Sequence, residues 1–250
     1  MKRSLSEPDE DAEVKRPEPP RYYKMLTPEM VHHGFQYKAG LNIDTVEWNP
    51  CGDCLPGGLY YTEFEHIGRN YQYGWTLIAD VTIPADAKTY EAPDQRKWKA
   101  DRLELSNIRS LAGFLADLDP DLVTNWVMTQ NSLVNLLEPT HPACFALVNK
   151  ERCALESLPK HSAELCKAAV LAHPHAVLHV QREFLTEELQ LLAVKGDPSM
   201  FKDMQQTEQL CWAALKVNPK VINWIKEPTR EMYKWVIDQA MPGSVKFTFD

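Results

Sequence analysis

Hydrophobic positions follow two rhythms along this chain, and the change falls near residue 107. Upstream, the apolar residues come in short runs broken by turn formers. Leu77, Ala79, Val81 and Ile83 share one face at period two, and Pro84 ends the run, which predicts a strand. Trp98 to Leu105 is a second strand candidate, with Leu103 and Leu105 on one face, and Leu59-Tyr60-Tyr61 is a third. Thr27-Pro28 puts proline at the favoured first position of a short helix. Thr62 and Glu65 have the Thr-x-x-Glu spacing of a capping box, which predicts a helix that stops at Gly74. From Asn42 to Gly58 the chain is turn-rich, with Asn49-Pro50, Cys51-Gly-Asp-Cys54 and Pro56-Gly57-Gly58. Two or three strands around one or two helices make a small mixed α/β domain over residues 21–106.

Downstream the period becomes helical and a repeat emerges. Its most regular copies are ELCKAAVLAHPHAVLHV from Glu164, EELQLLAVKGDPSMFKDM from Glu187 and EQLCWAALKVNPKVINWI from Glu208. The register runs Leu122, Cys144, Cys166, Gln190, Cys211, Tyr233, a period of about 22. Each copy reads as a helix of about ten residues that ends at Pro or Asn, followed by a shorter returning helix. One such hairpin cannot bury its apolar stripe alone, so residues 107–242 are expected to stack as a solenoid-like helical repeat domain. The seam should bury Leu165, Ala169, Leu189, Ala193, Leu210, Ala214 and Ile237, with Trp212 and Trp235 half exposed. Cys166 and Cys211 sit at equivalent stripe positions beside alanine pairs and read as core. The opposite face, with the Pro turns around His173, Asp197 and Asn218, is the expected partner-binding surface. The fold class is therefore α+β: a small mixed domain followed by an α-helical hairpin array, with tails at 1–20 and 243–250.

Charge narrows the partners. Of 250 residues, 44% are apolar and 25% charged, and 27 basic against 35 acidic side chains give a net charge of −8. An acidic chain is disfavoured as a partner for nucleic acid or an anionic membrane, which reward a basic face. No run of about 18 apolar residues is present to span a bilayer. Residues 1–20 carry four prolines, alternating charges and no apolar core of a secretory signal. Lys2-Arg3 and Lys15-Arg16 resemble a split nuclear signal, but six acidic residues share the segment with them. Six scattered cysteines in a chain of this length point to free thiols and a reducing compartment.

A longer pattern spans roughly 35–105. It comprises Lys38, Gly40-Leu41-Asn42, then Asn49-Pro50-x-Gly52-x-Cys54, then Gly57-Gly58-Leu59-Tyr60-Tyr61-Thr62, then Val81-x-Ile83-Pro84-x-Asp86-Ala87, and finally Lys99-x-Asp101. This string resembles a domain of mimivirus-like giant DNA virus proteins, where it often precedes ankyrin or other repeats. The helical copies over 120–240 resemble short tandem repeats of the same viruses. The resemblance implies a viral protein that acts in an amoebal host cell, in its cytoplasm or in the virion, on a host or viral protein partner. It carries no activity and no cofactor with it.

Candidate chemistry is sparse. Cys51-x-x-Cys54 is half of a tetrahedral zinc site, and no second Cys-x-x-Cys completes it. His173, His175 and His179 cluster on a Pro turn, with no thiol or carboxylate beside them at metal spacing in the sequence. Arg96, Lys97, Lys99 and Arg102 surround Trp98, diluted by Asp94, Asp101 and Glu104, and read as a solvated strand face. Gly57-Gly58 precedes a strand and not a helix, so it lacks a phosphate-cradling geometry. One enzymatic alternative stands against a non-enzymatic interaction protein. The order His33, then Tyr60 or Tyr61, then Glu91 or Glu104 resembles the site of ADP-ribosyltransferase folds, which implies a ribose contact, a nicotinamide stack and an orienting carboxylate respectively. A minor structural component of the virion is a third possibility. A cleft that holds His33, a tyrosine from 60–61 and a carboxylate would favour the enzyme.

Overall fold

The computed structural model describes residues 22–51, 55–72, 74–92 and 97–240. The chain is α+β, with a mostly antiparallel sheet in its first part and helices in its second. The expected tails and Cys54 lie outside the described residues.

The strands are β1 Tyr22–Leu26, β2 Val31–His32, β3 Phe35–Gln36, β4 Gly40–Ile43, β5 Leu59–Glu63, β6 Leu77–Thr82, β7 Thr89–Ala92, β8 Lys97–Ala100 and β9 Arg102–Ser110. Seven of them form one sheet in the order β4-β9-β6-β1-β5-β8-β7, and β2-β3 form a separate hairpin. That is far more strand than the two or three expected. Two-residue pieces fall below any sequence window, and β1 carries Lys24 where an apolar residue would have signalled a buried strand. The run expected from Trp98 to Leu105 is cut at Asp101 into β8 and β9. Thr27-Pro28 opens a turn and no helix. Thr62 ends up inside β5, so no capping box forms. A 3₁₀ turn at Phe64–His66 leads into a four-residue helix, α1 Ile67–Asn70, which stops short of Gly74.

Compact packing divides the chain into two units. The first takes the chain through Lys24, then Met30–Phe64 and Ala79–Ile108; the second takes Met25–Glu29, Glu65–Ile78 and everything from Arg109 on. In the first unit Tyr23, Leu59, Tyr61, Leu103 and Leu105 are buried. So is Lys99, whose ammonium donates to the Cys51 carbonyl at 3.2 Å within 6 Å of the rings of Trp48, Tyr60 and Tyr90. Burial lowers its pKa, and Cys51 and Asp44 oppose that shift. Arg102 pairs with Asp86 at 3.1 Å. The basic cluster around Trp98 is thus dispersed: one cation is buried, one is ion-paired, and Arg96 lies outside the described residues.

The second unit holds α2 Leu111–Ala116, α3 Pro120–Thr129, α4 Pro142–Lys150, α5 Ala154–Ser157, α6 Ala163–Ala172, α7 Glu187–Gly196, α8 Glu208–Val217 and α9 Arg230–Ala240. The chain packs α3 on α4, α4 on α6, and then α6 through α9 in sequence. The returning segments are six-residue 3₁₀ helices, Pro174–His179, Pro198–Asp203 and Pro219–Trp224, stacked on one another. A six-residue 3₁₀ helix, the form the chain uses for short connecting pieces, takes the place of the expected second α-helix in each of these rungs. Ser162, Thr186, Thr207 and Thr229 cap α6 to α9 by accepting from the backbone N–H three residues on.

Each seam buries residues at i, i+1, i+4 and i+5: Leu165, Cys166, Ala169 and Val170 in α6, and Leu210, Cys211, Ala214 and Leu215 in α8. Small residues bring the rungs together, and a Cβ at Gly196 would meet Pro174 Cγ at 2.6 Å. Burial places Val123, not Leu122, at the position of Cys144, because Val123, Trp126 and Val127 are the inward residues of α3. Ile237 is 38% exposed, contrary to expectation. It lies on α9, the last described helix, and among the described residues no following rung covers it.

Candidate functional site

The first unit contains a cavity of about 490 Å³ walled by the β2-β3 hairpin, the stretch Asp44–Val46, the loop Leu55–Gly58 and Tyr60 on β5. The hairpin is built by its turn. Val31 pairs with Gln36 and His32 with Phe35, which leaves only His33 and Gly34 to reverse the chain. Both have positive φ, 51° and 78°, the type I′ geometry that matches strand twist. This conformation sets His33 on the cavity wall.

The opposite wall is held by Asp44. Its carboxylate accepts from the Gly58 N–H at 2.5 Å and from the Val46 N–H at 3.1 Å. Gly57 has φ 89°, and a Cβ there would collide with the Glu47 carbonyl. The Gly57-Gly58 pair therefore shapes the wall through close backbone approach. Tyr60 donates its hydroxyl proton to the Leu55 carbonyl at 3.1 Å.

Beside the cavity, Lys24 is buried with its ammonium 3.0 Å from His32 Nδ1 and 4.8 Å from the centre of the Tyr37 ring. Burial, reinforced by Lys97, pushes the Lys24 pKa down to about 7. Burial and then Lys24 push His32 down to about 3, so its imidazole is neutral at neutral pH. Burial and then Asp44 raise the Tyr37 hydroxyl above its ordinary value. The rings of His32 and His33 lie 4.1 Å apart. The result is a polar, aromatic pocket suited to a planar ligand with hydrogen-bonding edges.

His33 and Tyr60 thus share a cavity, and its carboxylate is Asp44. Glu104 is exposed on β9 opposite Leu41, and Glu91 is exposed on β7; neither lines the pocket. Tyr61 is buried in the core. The ADP-ribosyltransferase resemblance implies a His that opens a strand, and His33 sits in a turn instead. Lys24, Tyr37 and Asp44 escaped the sequence reading, and His32 stood out there only as a possible zinc ligand beside Cys51 and Cys54. His33 and Tyr60 were the residues of the ADP-ribosyltransferase-like order that the structure brings to this place.

In the second unit His173, Asp197 and Asn218 recur at the same structural position, directly after α6, α7 and α8. Each donates its N–H to a carbonyl four residues back, at 2.8 Å. Asp197 and Asn218 also accept from the N–H two residues on, which starts the next 3₁₀ helix. Hydrogen bonds from Ser199 hold Asp197 below the usual carboxylate range. His173 has its Nε2 3.2 Å from the Asn149 carbonyl oxygen. His175 and His179 do have a thiol and a carboxylate nearby, because the stack brings Cys153 and Glu156 of the preceding rung beside His179. Burial raises the thiols of Cys144 and Cys166 to about 11 and raises that of Cys211, which leaves them unreactive. Cys51 is exposed, and its proposed metal partner Cys54 is outside the described residues.

The chain is similar to proteins of Acanthamoeba polyphaga mimivirus. It is 38% identical over 71 residues to one named as an ankyrin repeat protein, covering 28% of this chain and 35% of that one. It is 40% identical over 67 residues to an uncharacterised protein, covering 26% and 48%. A second protein named as an ankyrin repeat protein is 31% identical over 83 residues, covering 30% and 27%. The chain spans less than half the length of each of these relatives. No protein-family model matches the chain, and no solved structure matches it. No helix among the described residues is long and apolar enough to cross a membrane.

Proposed function

We propose that this chain is a non-enzymatic interaction protein of a giant virus, whose stacked helical repeats present a binding face to a host or viral protein. The reading rests on one observation: successive α-helices stack on each other and successive 3₁₀ helices do the same. His173, Asp197 and Asn218 therefore recur as a row, one per rung. Stacked rungs offer extended surfaces suited to a protein partner. The names of two mimivirus relatives support a repeat protein, although the rungs here are about 22 residues long and an ankyrin repeat is about 33. The site of action is the host cytoplasm or the virion.

Immobilised full-length chain, incubated with amoebal host lysate and separately with disrupted virions, tests this. The control carries His173→Gln, Asp197→Asn and Asn218→Asp together. These changes keep an acceptor at the Asp197 and Asn218 caps and change the row's charge and shape. The expected result is a discrete protein enriched by the parent chain and reduced at least tenfold by the triple variant. Equal enrichment by both would remove the turn row as the binding face. Enrichment of a virion protein alone would assign the chain to particle assembly.

A second reading is favoured by the cavity that holds His33 and Tyr60. It binds a planar, nucleoside-like ligand there. The Asp44 carboxylate is committed to the Gly58 and Val46 N–H groups, which argues against an ADP-ribosyltransferase reaction and for binding alone. Calorimetric titration with NAD and with nicotinamide distinguishes the outcomes. Heat that disappears in His33→Ala and Tyr60→Ala supports the pocket, and no heat with either ligand removes it.

A further inference from the structure

We propose that Cys153, Glu156 and His179 form a zinc site that clips two neighbouring rungs of the array together. Cys153 precedes α5, Glu156 lies within it, and His179 ends the 3₁₀ helix of the next rung, Pro174–His179. The two segments pack directly on each other. One ligating atom from each of the three residues lies within 4.8 Å of the other two. His179 Nδ1 and the Glu156 carboxylate are 3.9 Å apart.

The donor set selects the metal. A thiolate, an imidazole and a carboxylate suit zinc, while calcium and magnesium take oxygen ligands. Zinc bonds of roughly 2.0–2.3 Å place tetrahedral ligands about 3.3–3.8 Å apart. The present spacing is wider by up to about 1.5 Å at its longest edge. Cys153 and Glu156 are both exposed, so rotation about their side-chain bonds closes it without moving the core. The fourth position is left to water.

His179 Nδ1 is the ring nitrogen that faces Glu156, so with metal on Nδ1 the ring proton stays on the buried Nε2 on the far side. Arg152, near the neighbouring His175, opposes a bound metal, and Glu156 and Asp203 are acidic groups that offset it. Because the ligands belong to two rungs, metal binding would stabilise the array by favouring its folded state.

Cobalt, a spectroscopic stand-in for zinc, provides the test. The full chain carries Cys51→Ser and Cys54→Ser so that the Cys-x-x-Cys pair supplies no thiolate, and it is reduced and freed of metal before titration. The expected result is thiolate-to-cobalt absorption that saturates at one equivalent and is displaced by zinc. Cys153→Ser should abolish it, and His179→Gln should weaken cobalt binding at least tenfold. Far-ultraviolet circular dichroism checks that each variant keeps its helices. Zinc should raise the thermal midpoint of the parent chain and leave that of Cys153→Ser unchanged. Absence of the thiolate band, or its survival in Cys153→Ser, would overturn the proposal.

Discussion

Lys24 shows how a single side chain can escape a sequence reading and still shape a site. A lysine inside Tyr22–Leu26 breaks the apolar run that marks a buried strand, so β1 was invisible beforehand. Its burial makes stability depend on pH. A lysine whose folded pKa is about 7 and unfolded pKa is 10.5 holds fewer protons when folded between those values. Stability should therefore rise as pH increases from about 7 to about 10, by at most about 1.4 kcal/mol per pH unit. His32 acts in the same direction at lower pH, where folding weakens on acidification from about 6.5 towards about 3. Urea denaturation across pH 6–10 should show the rise, and Lys24→Met should flatten it. The thiols give a second prediction at this scale. Cys51 and Cys153 are exposed while Cys144, Cys166 and Cys211 are buried. A thiol reagent followed by peptide mapping should label the first two in the native chain and the other three only after unfolding.

At the level of elements, the long-period signal was legible and the short-period one was not. Apolar residues at fixed repeat positions located α6, α7 and α8 because α6 and α8 bury the i, i+1, i+4, i+5 stripe and α7 buries the same stripe except at Gln190. Strands of two to four residues give no such stripe, and their pairing partners are distant in sequence: Gly40 with Leu105, Thr89 with Ala100. The 3₁₀ returns were misread because one face of six residues looks alike in either helix. The candidate cavity was legible only at His33 and Tyr60. Asp44 joins it through a hydrogen bond to Gly58, a link that no local spacing encodes. The rungs are also tied by polar side chains just before their caps. Gln206 donates to the carbonyls of Phe201 and Trp224 and accepts from Lys226, and the buried His161 occupies the equivalent place between Leu155 and Gln181. Seam position decides what a truncation costs. Leu210→Ala should lose about 2–5 kcal/mol in chemical denaturation. Ile237→Ala should lose under about 1 kcal/mol, because that side chain is already 38% exposed.

For the molecule as a whole, the division into units does not follow the linear order of the chain. Segments 25–29 and 65–78 belong with the helices. Gln130 donates to the Tyr71 carbonyl at 3.0 Å, and Gly68 lies so close to Trp126 that a Cβ there would run into the indole. A fragment of residues 107–240 should therefore melt well below the helical unit of the full chain, and adding residues 65–78 as a separate peptide should recover part of the difference. Calorimetry of both measures this, and equal midpoints would show that those segments contribute nothing to the array. The near-constant rung has one more consequence, in heredity instead of stability. α8 packs on α7 before it and on α9 after it, and each of these helices starts at a threonine cap. A tandem duplication of residues 207–228 would therefore add a rung whose two flanks both find matching neighbours. DNA slippage by about 22 codons is then a conservative event for this gene. Slippage by a length far from a whole rung leaves an incomplete rung in the stack.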